Sequence, residues 1–277
     1  MNKQLVISFK ITNWCNLHCA HCCERSNKHN APDFMSLEKL NKYLAETSIM
    51  DTRPNQLLAI SGGEALAPYI LGNTTYIPNA LDLIYTNNYV PVLKTNGTWG
   101  DNETLRKKIL SDIALKAYKY QKLVTLDISV DEFHNNQSGV IKIINNIVRN
   151  PGLSFAIRIC LVGFNTPASK TALNNLQQQL QNIGLKIKKN HIGDLMIEIP
   201  NSINVLYVYT NYIAQVVPAG RAKQTKTFTT THRGDNDGID CLQIDNHDYA
   251  ILNYQYREPI KNRPLNTVLQ SLMSKVY

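Results

Sequence analysis

LVISFKIT (Leu5–Thr12) runs into WCNLHCAHCC (Trp14–Cys23). The first stretch is rich in β-branched and aromatic residues and reads as a strand. The second holds four of the chain's six cysteines. Thiols are therefore crowded into the loop that follows the first strand. Outward from there the pattern repeats. QLLAIS (Gln56–Ser61) is a short buried strand that ends in Gly62-Gly63-Glu64. VPVLKT (Val90–Thr95) ends in Asn96-Gly97. LVTLDISV (Leu123–Val130) runs into Asp131-Glu132-Phe133-His134.

Between the strands lie apolar residues at helical spacing. Met35–Glu46 comes first, with Ser36 as a plausible N-cap. Ala80–Asn87, the segment DNETLRKKIL capped by Asp101, and Ser138–Arg149 follow in turn. SFAIRICLVGF (Ser154–Phe164) reads as a fifth strand. The helix of ASKTALNNLQQQLQNIG stops at Gly184, and NVLYVYT (Asn204–Thr210) is the choice for a sixth strand. Strand–helix alternation implies a parallel sheet covered by helices, either an open doubly wound sheet or an incomplete barrel. In both, chemistry collects where strands end and helices begin. The unusual loops of this chain all follow strands.

The chain has 277 residues, 43% of them hydrophobic, enough for one large domain with or without a small appendage. No apolar run approaches the ~20 residues that span a bilayer. MNKQLVISFKITN lacks the long apolar core of a signal peptide. The expectation is a cytoplasmic protein with no membrane partner. Six cysteines are too few for a disulfide scaffold, and their clustering points to metal or redox chemistry. The net charge of +8 permits an anionic partner. Lys and Arg are scattered, however, without the long basic block on which nucleic acid would sit.

Cys15, Cys19 and Cys22 have the pattern C-x3-C-x2-C. Three thiolates satisfy three irons of a [4Fe–4S] cluster and leave the fourth open. Zinc is the competing reading, because it takes four tetrahedral ligands and Cys23, His18 or His21 stands near enough in sequence to be the fourth. Against zinc, adjacent Cys22 and Cys23 cannot easily face one metal, and there is no second cysteine knuckle.

C-x3-C-x2-C directly after a first strand (CNLHCAHC, Cys15–Cys22), with SGGE (Ser61–Glu64) after the second, resembles the radical S-adenosylmethionine enzymes. The resemblance covers roughly residues 1–210. It implies a partial (βα)6 TIM-like barrel with a short α+β C-terminal extension, residues 211–277. It also implies that the open iron is chelated by the amino and carboxylate groups of S-adenosylmethionine. Reductive cleavage of the cofactor then gives a 5′-deoxyadenosyl radical that abstracts hydrogen from a substrate, with an electron donor such as flavodoxin or ferredoxin as partner. On the same resemblance His21 lies near the adenine, and Ser61, Gly62, Gly63 and Glu64 meet the methionine amino group. Ser129 contacts the ribose or carboxylate, and Arg158 forks onto the cofactor's carboxylate. Asn96 and Asp131 join the cofactor-binding set. A turn at Asn96-Gly97, and a helix start at Asp131 and Glu132, are the plain alternatives.

VVPAGRAK (Val216–Lys223) and PLNTVLQSL resemble parts of the SPASM or twitch extensions of such enzymes. Those extensions hold further clusters through several cysteines. This tail has only Cys241, so no auxiliary cluster is expected there. CLQIDNHDYAILNYQY reads as a hairpin and PLNTVLQSLMSKV as a final amphipathic helix. Cys160 and Cys241 read as small buried hydrophobes. The sharper reading makes Cys241 a hydrogen-atom donor. The expected substrate is a peptide, with a small molecule or nucleotide as the alternative. A zinc-binding interaction protein is the alternative from another class.

Overall fold

The computed structural model describes residues 4–50, 56–191, 193–200, 205–213, 239–252, 256–260 and 262–275. In chain order the first half contains β1 (Gln4–Lys10), α1 (Leu37–Met50), β2 (Leu57–Ser61), α2 (Ala67–Ile70), α3 (Tyr76–Thr86), β3 (Val90–Thr95), α4 (Glu103–Tyr120), β4 (Val124–Ser129) and α5 (Gln137–Arg149). The second half contains α6 (Pro151–Ala156), β5 (Ile157–Phe164), α7 (Pro167–Asn182), β6 (Ile187–Lys189), β7 (Leu195–Glu198), β8 (Val205–Ile213), β9 (Ile239–Asp245), β10 (Tyr249–Leu252), β11 (Tyr256–Pro259) and α8 (Leu265–Met273). The fold is α/β, with parallel pairing where strands alternate with helices.

The chain divides into two compact units: Met1–Pro68 with Thr74–Val92 and Gln215–Tyr277, and Tyr69–Asn73 with Leu93–Ala214. The first unit orders its strands β11-β10-β9-β1-β2. β1 pairs in parallel with β2 (Ile7↔Leu58 to Lys10↔Ser61) and, along its whole length, with β9 (Gln4↔Ile239 to Lys10↔Asp245). β9, β10 and β11 form the antiparallel part, so the expected tail hairpin is present. Ile7, Phe9, Leu58, Ile60, Leu242 and Ile244 are sealed from solvent, each burial being worth about 1.5–3 kcal/mol. The tail is anchored on α1, where Asp248 accepts from Tyr43 Oη at 2.6 Å and pairs with Lys39 at 3.0 Å, and Glu46 Oε2 accepts from the amide of Leu265 at 2.7 Å. Ser36 caps α1 by accepting from the amide of Lys39.

The second unit orders its strands β4-β5-β8-β7-β6, the first three parallel and the rest antiparallel. One face of β4 and β5 is apolar and buried: Val124, Leu126, Ile128, Ile157, Ile159 and Leu161. It packs against α4, α6 and α7. The other face of β5 carries Arg158, Cys160, Val162 and Phe164, all half-buried.

Three local expectations change. Asn102, not Asp101, caps α4 by accepting from the amide of Leu105 at 3.0 Å. Asp101 ends a 3-10 turn (Thr98–Asp101) and bonds Ser138 and Lys142 on α5. Ser154–Ala156, expected as strand, is the end of α6, because Pro151 at the first helical position presets that turn. The short β6–β7 hairpin was not expected. It turns through Gly193, whose φ is +95°.

Candidate functional site

The cysteine loop is fixed to the loop after β2 by backbone bonds. Gly63 N donates to Thr12 O and Glu64 N to Trp14 O, both at 2.9 Å. A Cβ on Gly63 would lie 2.0 Å from Trp14 O, and one on Gly62 would lie 2.5 Å from Thr12 O. Gly62 also has φ +142°, which disfavours any side chain. The sequence reading gave these glycines to the approach of a ligand. In the structure they permit the approach of the cysteine loop's own backbone. At the far end Cys15 N donates to Asn27 O and Asn30 Nδ2 to Asn13 O. Cys22 N donates to Cys19 O at 3.2 Å, so one tight turn carries both of these thiols.

Cys15 is 8% exposed and Cys19 and Cys22 are half-buried. Leu17 N donates to Cys15 Sγ at 3.4 Å. Burial pushes the Cys15 thiol up to about 12, followed by the charge of Glu64; Cys19 and Cys22 add to it, and the Leu17 amide opposes it. Three sulfurs and one carboxylate thus lie within electrostatic reach of one another. Glu64 is fully buried and accepts from Leu66 N at 2.9 Å, which starts α2. Ser61 Oγ meets Ser8 Oγ at 3.0 Å. His21 is half-buried inside the Cys19–Cys22 turn and His18 is exposed. Cys23 answers to other neighbours: burial raises its thiol to about 12, then Glu24 and Cys22, while Lys10 opposes. Lys10 and Glu24 form an ion pair with each other.

The donor set suits two kinds of metal group. A single zinc, with Zn–S of about 2.3 Å, requires its sulfurs within roughly 4.6 Å of one another. One tight turn carries Cys19 and Cys22, and both act on the Cys15 thiol. Three thiolates are also the set that holds a [4Fe–4S] cluster with one iron left open.

In the second unit the ends of β3 and β4 are clamped together by a residue the sequence reading missed. Asn136 is 2% exposed, and its Nδ2 donates to Ser129 O at 2.6 Å and to Asn96 O. An asparagine just before a helix looks like an ordinary cap, so the sequence gives no sign of this role. Asn96 Oδ1 accepts from the amide and hydroxyl of Thr98, and Gly97 has φ +73°, so the expected Asn-Gly turn is present. Ser129 closes β4, half-buried. Asp131 lies beyond the strand and builds the next turn, accepting from the amides of Phe133 and His134 and from His134 Nδ1 at 2.8 Å. Glu132 bonds Thr166 and Ser169 at the start of α7.

Arg158 stands apart from these residues. Ser129 pairs with Val162, whereas Arg158 pairs with Thr125 at the opposite end of β4. Four residues of strand separate Arg158 from the Ser129 level, roughly 13 Å. Between the two levels Asp127 pairs with Cys160. Burial pushes the Asp127 carboxyl up, while Lys94 and a hydrogen bond with Cys160 pull it down. Burial, and then Asp127, push the Cys160 thiol up to about 12. Cys241 lies in β9 opposite Val6. Its side chain, and all of VVPAGRAK, lie outside the described residues.

No family model matches the chain, and no curated protein matches it. Among solved structures it is similar to native anSMEcpe with bound AdoMet and Cp18Cys peptide (18% identity, TM-score 0.42, 65% of this chain and 48% of that one). It is similar to SuiB of Streptococcus suis bound to S-adenosylmethionine (10% identity, TM-score 0.44, 97% and 66%). It is also similar to HydG, a maturase of the [FeFe]-hydrogenase (12% identity, TM-score 0.46, 83% and 47%). The chain spans about half the length of the anSMEcpe chains it matches.

Proposed function

We propose that the chain is a radical S-adenosylmethionine enzyme in which Cys15, Cys19 and Cys22 hold a [4Fe–4S] cluster and the substrate is a peptide. One observation carries this reading: three thiols sit on a loop hydrogen-bonded through its backbone to Gly63 and Glu64. When bound, the cluster and cofactor supply one-electron cleavage of a sulfonium carbon–sulfur bond and a carbon radical that takes hydrogen from the substrate.

The remaining work falls to this chain's residues. Leu17 N–H on Cys15 Sγ favours the thiolate that ligation needs. The buried Glu64 carboxylate is an acceptor for the cofactor's ammonium group. Ser129 offers its hydroxyl to the ribose or carboxylate, with its strand end held by Asn136. His21, Asn96 and Asp131 complete the cofactor-binding set, and a flavodoxin- or ferredoxin-like donor supplies the electron. Among the described residues no helix is long and apolar enough to cross a membrane. The peptide reading rests on the likeness of VVPAGRAK and PLNTVLQSL to parts of SPASM or twitch extensions, and residues 211–277 are that extension, without an auxiliary cluster.

Anaerobic reconstitution tests the reading. The expected result is a brown protein with about four irons per chain that releases 5′-deoxyadenosine on reduction with S-adenosylmethionine. A colourless protein that holds one zinc would overturn it in favour of a structural clip. Cys241→Ala, run in deuterated solvent with the peptide, tests that thiol as hydrogen donor. Unchanged isotope incorporation would remove it from the mechanism.

A further inference from the structure

The half-buried face of β4, β5 and β8 carries polar and aromatic groups that the proposed chemistry does not use. Its lower levels are set by register: Thr125 opposite Arg158, then Asp127 opposite Cys160, which in turn pairs with Tyr209. Tyr207 and Tyr209 are 44% and 39% exposed and stack with ring centroids 6.5 Å apart. Arg158 Cζ lies 5.5 Å from the centre of the Tyr209 ring. Lys94 is exposed, and its charge reaches Asp127.

Arg158 is the informative group. Among the described residues it makes no ion pair, although it is half-buried in a strand. An uncompensated charge in such a place is costly, and stacking on a ring offsets only about 0.5–2 kcal/mol of that. The guanidinium is held by its ring with a fork of donors to offer. A fork of this kind matches the two oxygens of a carboxylate. Asp127, diagonal to it across the strands, repels a dianion more than a monoanion. A carboxylate is therefore favoured over a phosphate.

We propose that Arg158, stacked on Tyr209, is the anion-binding end of a substrate subsite on this face, and that the group it takes is a carboxylate. The purpose of the subsite rests on the enzyme reading above; the binding itself does not.

The full chain is titrated with N-acetylglycine, its neutral isostere N-acetylglycinamide, and inorganic phosphate. N-acetylglycine should bind, the amide should not, and phosphate should bind more weakly. Arg158→Gln should weaken N-acetylglycine roughly tenfold to a hundredfold, the loss expected for a charged hydrogen bond. Arg158→Lys, which keeps the charge and loses the fork, should fall between. Equal binding of acid and amide, or of acid by parent and Arg158→Gln, overturns the proposal. If Arg158→Gln does not fold, equal binding by Arg158→Lys and the parent overturns it. Iron content is read on the same samples. A chain that loads iron but ignores the acid overturns the subsite and leaves the cluster standing. A chain that binds the acid but holds no iron does the reverse.

Discussion

Gly63→Ala separates a steric requirement from a conformational one. The new Cβ would lie 2.0 Å from Trp14 O, 2.5 Å from Trp14 C and 3.0 Å from Asn13 O, all backbone atoms that cannot swing away. The cysteine loop must move by more than an ångström. Doing so breaks the hydrogen bonds that the Gly63 amide donates to Thr12 O and the Glu64 amide to Trp14 O. Two bonds at about 0.5–1.5 kcal/mol each, with an overpacking cost of about 1–3 kcal/mol, give a destabilisation of about 2–6 kcal/mol. Gly184→Ala is the control. Gly184 has φ +87°, and a methyl group added there would meet nothing within 4 Å, so the change costs only left-handed strain, about 1–2 kcal/mol. Urea unfolding and iron content after anaerobic reconstitution are measured for both. Gly63→Ala should lose stability and most of its iron; Gly184→Ala should lose a little stability and no iron. A Gly63→Ala chain within about 0.5 kcal/mol of the parent and with full iron would refute the idea that this close backbone approach builds the site.

Single Cys→Ser changes at Cys15, Cys19 or Cys22 should each abolish a reconstituted cluster, whereas Cys23→Ser should keep it; visible absorbance and iron assay decide. Asn136→Ala strips donors from the buried carbonyls of Ser129 and Asn96 and should cost about 2–4 kcal/mol in chemical unfolding. Lys275, Ser271 and Arg263 hold Glu258 down from 4.5 to about 2. Its contribution to stability is complete above the unfolded-state value of 4.5 and fades as pH falls toward 2. Acid unfolding followed by circular dichroism should show that loss, and Glu258→Gln should flatten the pH dependence between these limits.

The strands were legible where apolar residues run to a polar stop, as at Ser61, Thr95 and Ser129. The cysteine loop was legible because thiol spacing is local. Other features depend on contacts distant in sequence. Asn136 looks like a cap until β3 and β4 are placed side by side. The resemblance gives Arg158 to the cofactor's carboxylate, but it gives no level along the strand. Register against β4 places it opposite Thr125. Gly62 and Gly63 stand out in the sequence, but the close approach of the Thr12 and Trp14 backbone, which each of them permits, does not. Ser154–Ala156 reads as strand because its composition outweighs the proline three residues before it.

β1 is flanked by partners of very different age. β2 emerges soon after it, but β9, which pairs along all of β1, is made only near the end of the described chain. At roughly 5–20 residues per second, β1 waits on the order of ten to forty seconds during synthesis with one side unsatisfied. The cysteine loop is therefore attached, through that interval, to an edge strand open to wrong pairing. A nascent chain stalled before Ile239 would carry every proposed cluster ligand on a strand with one edge still open.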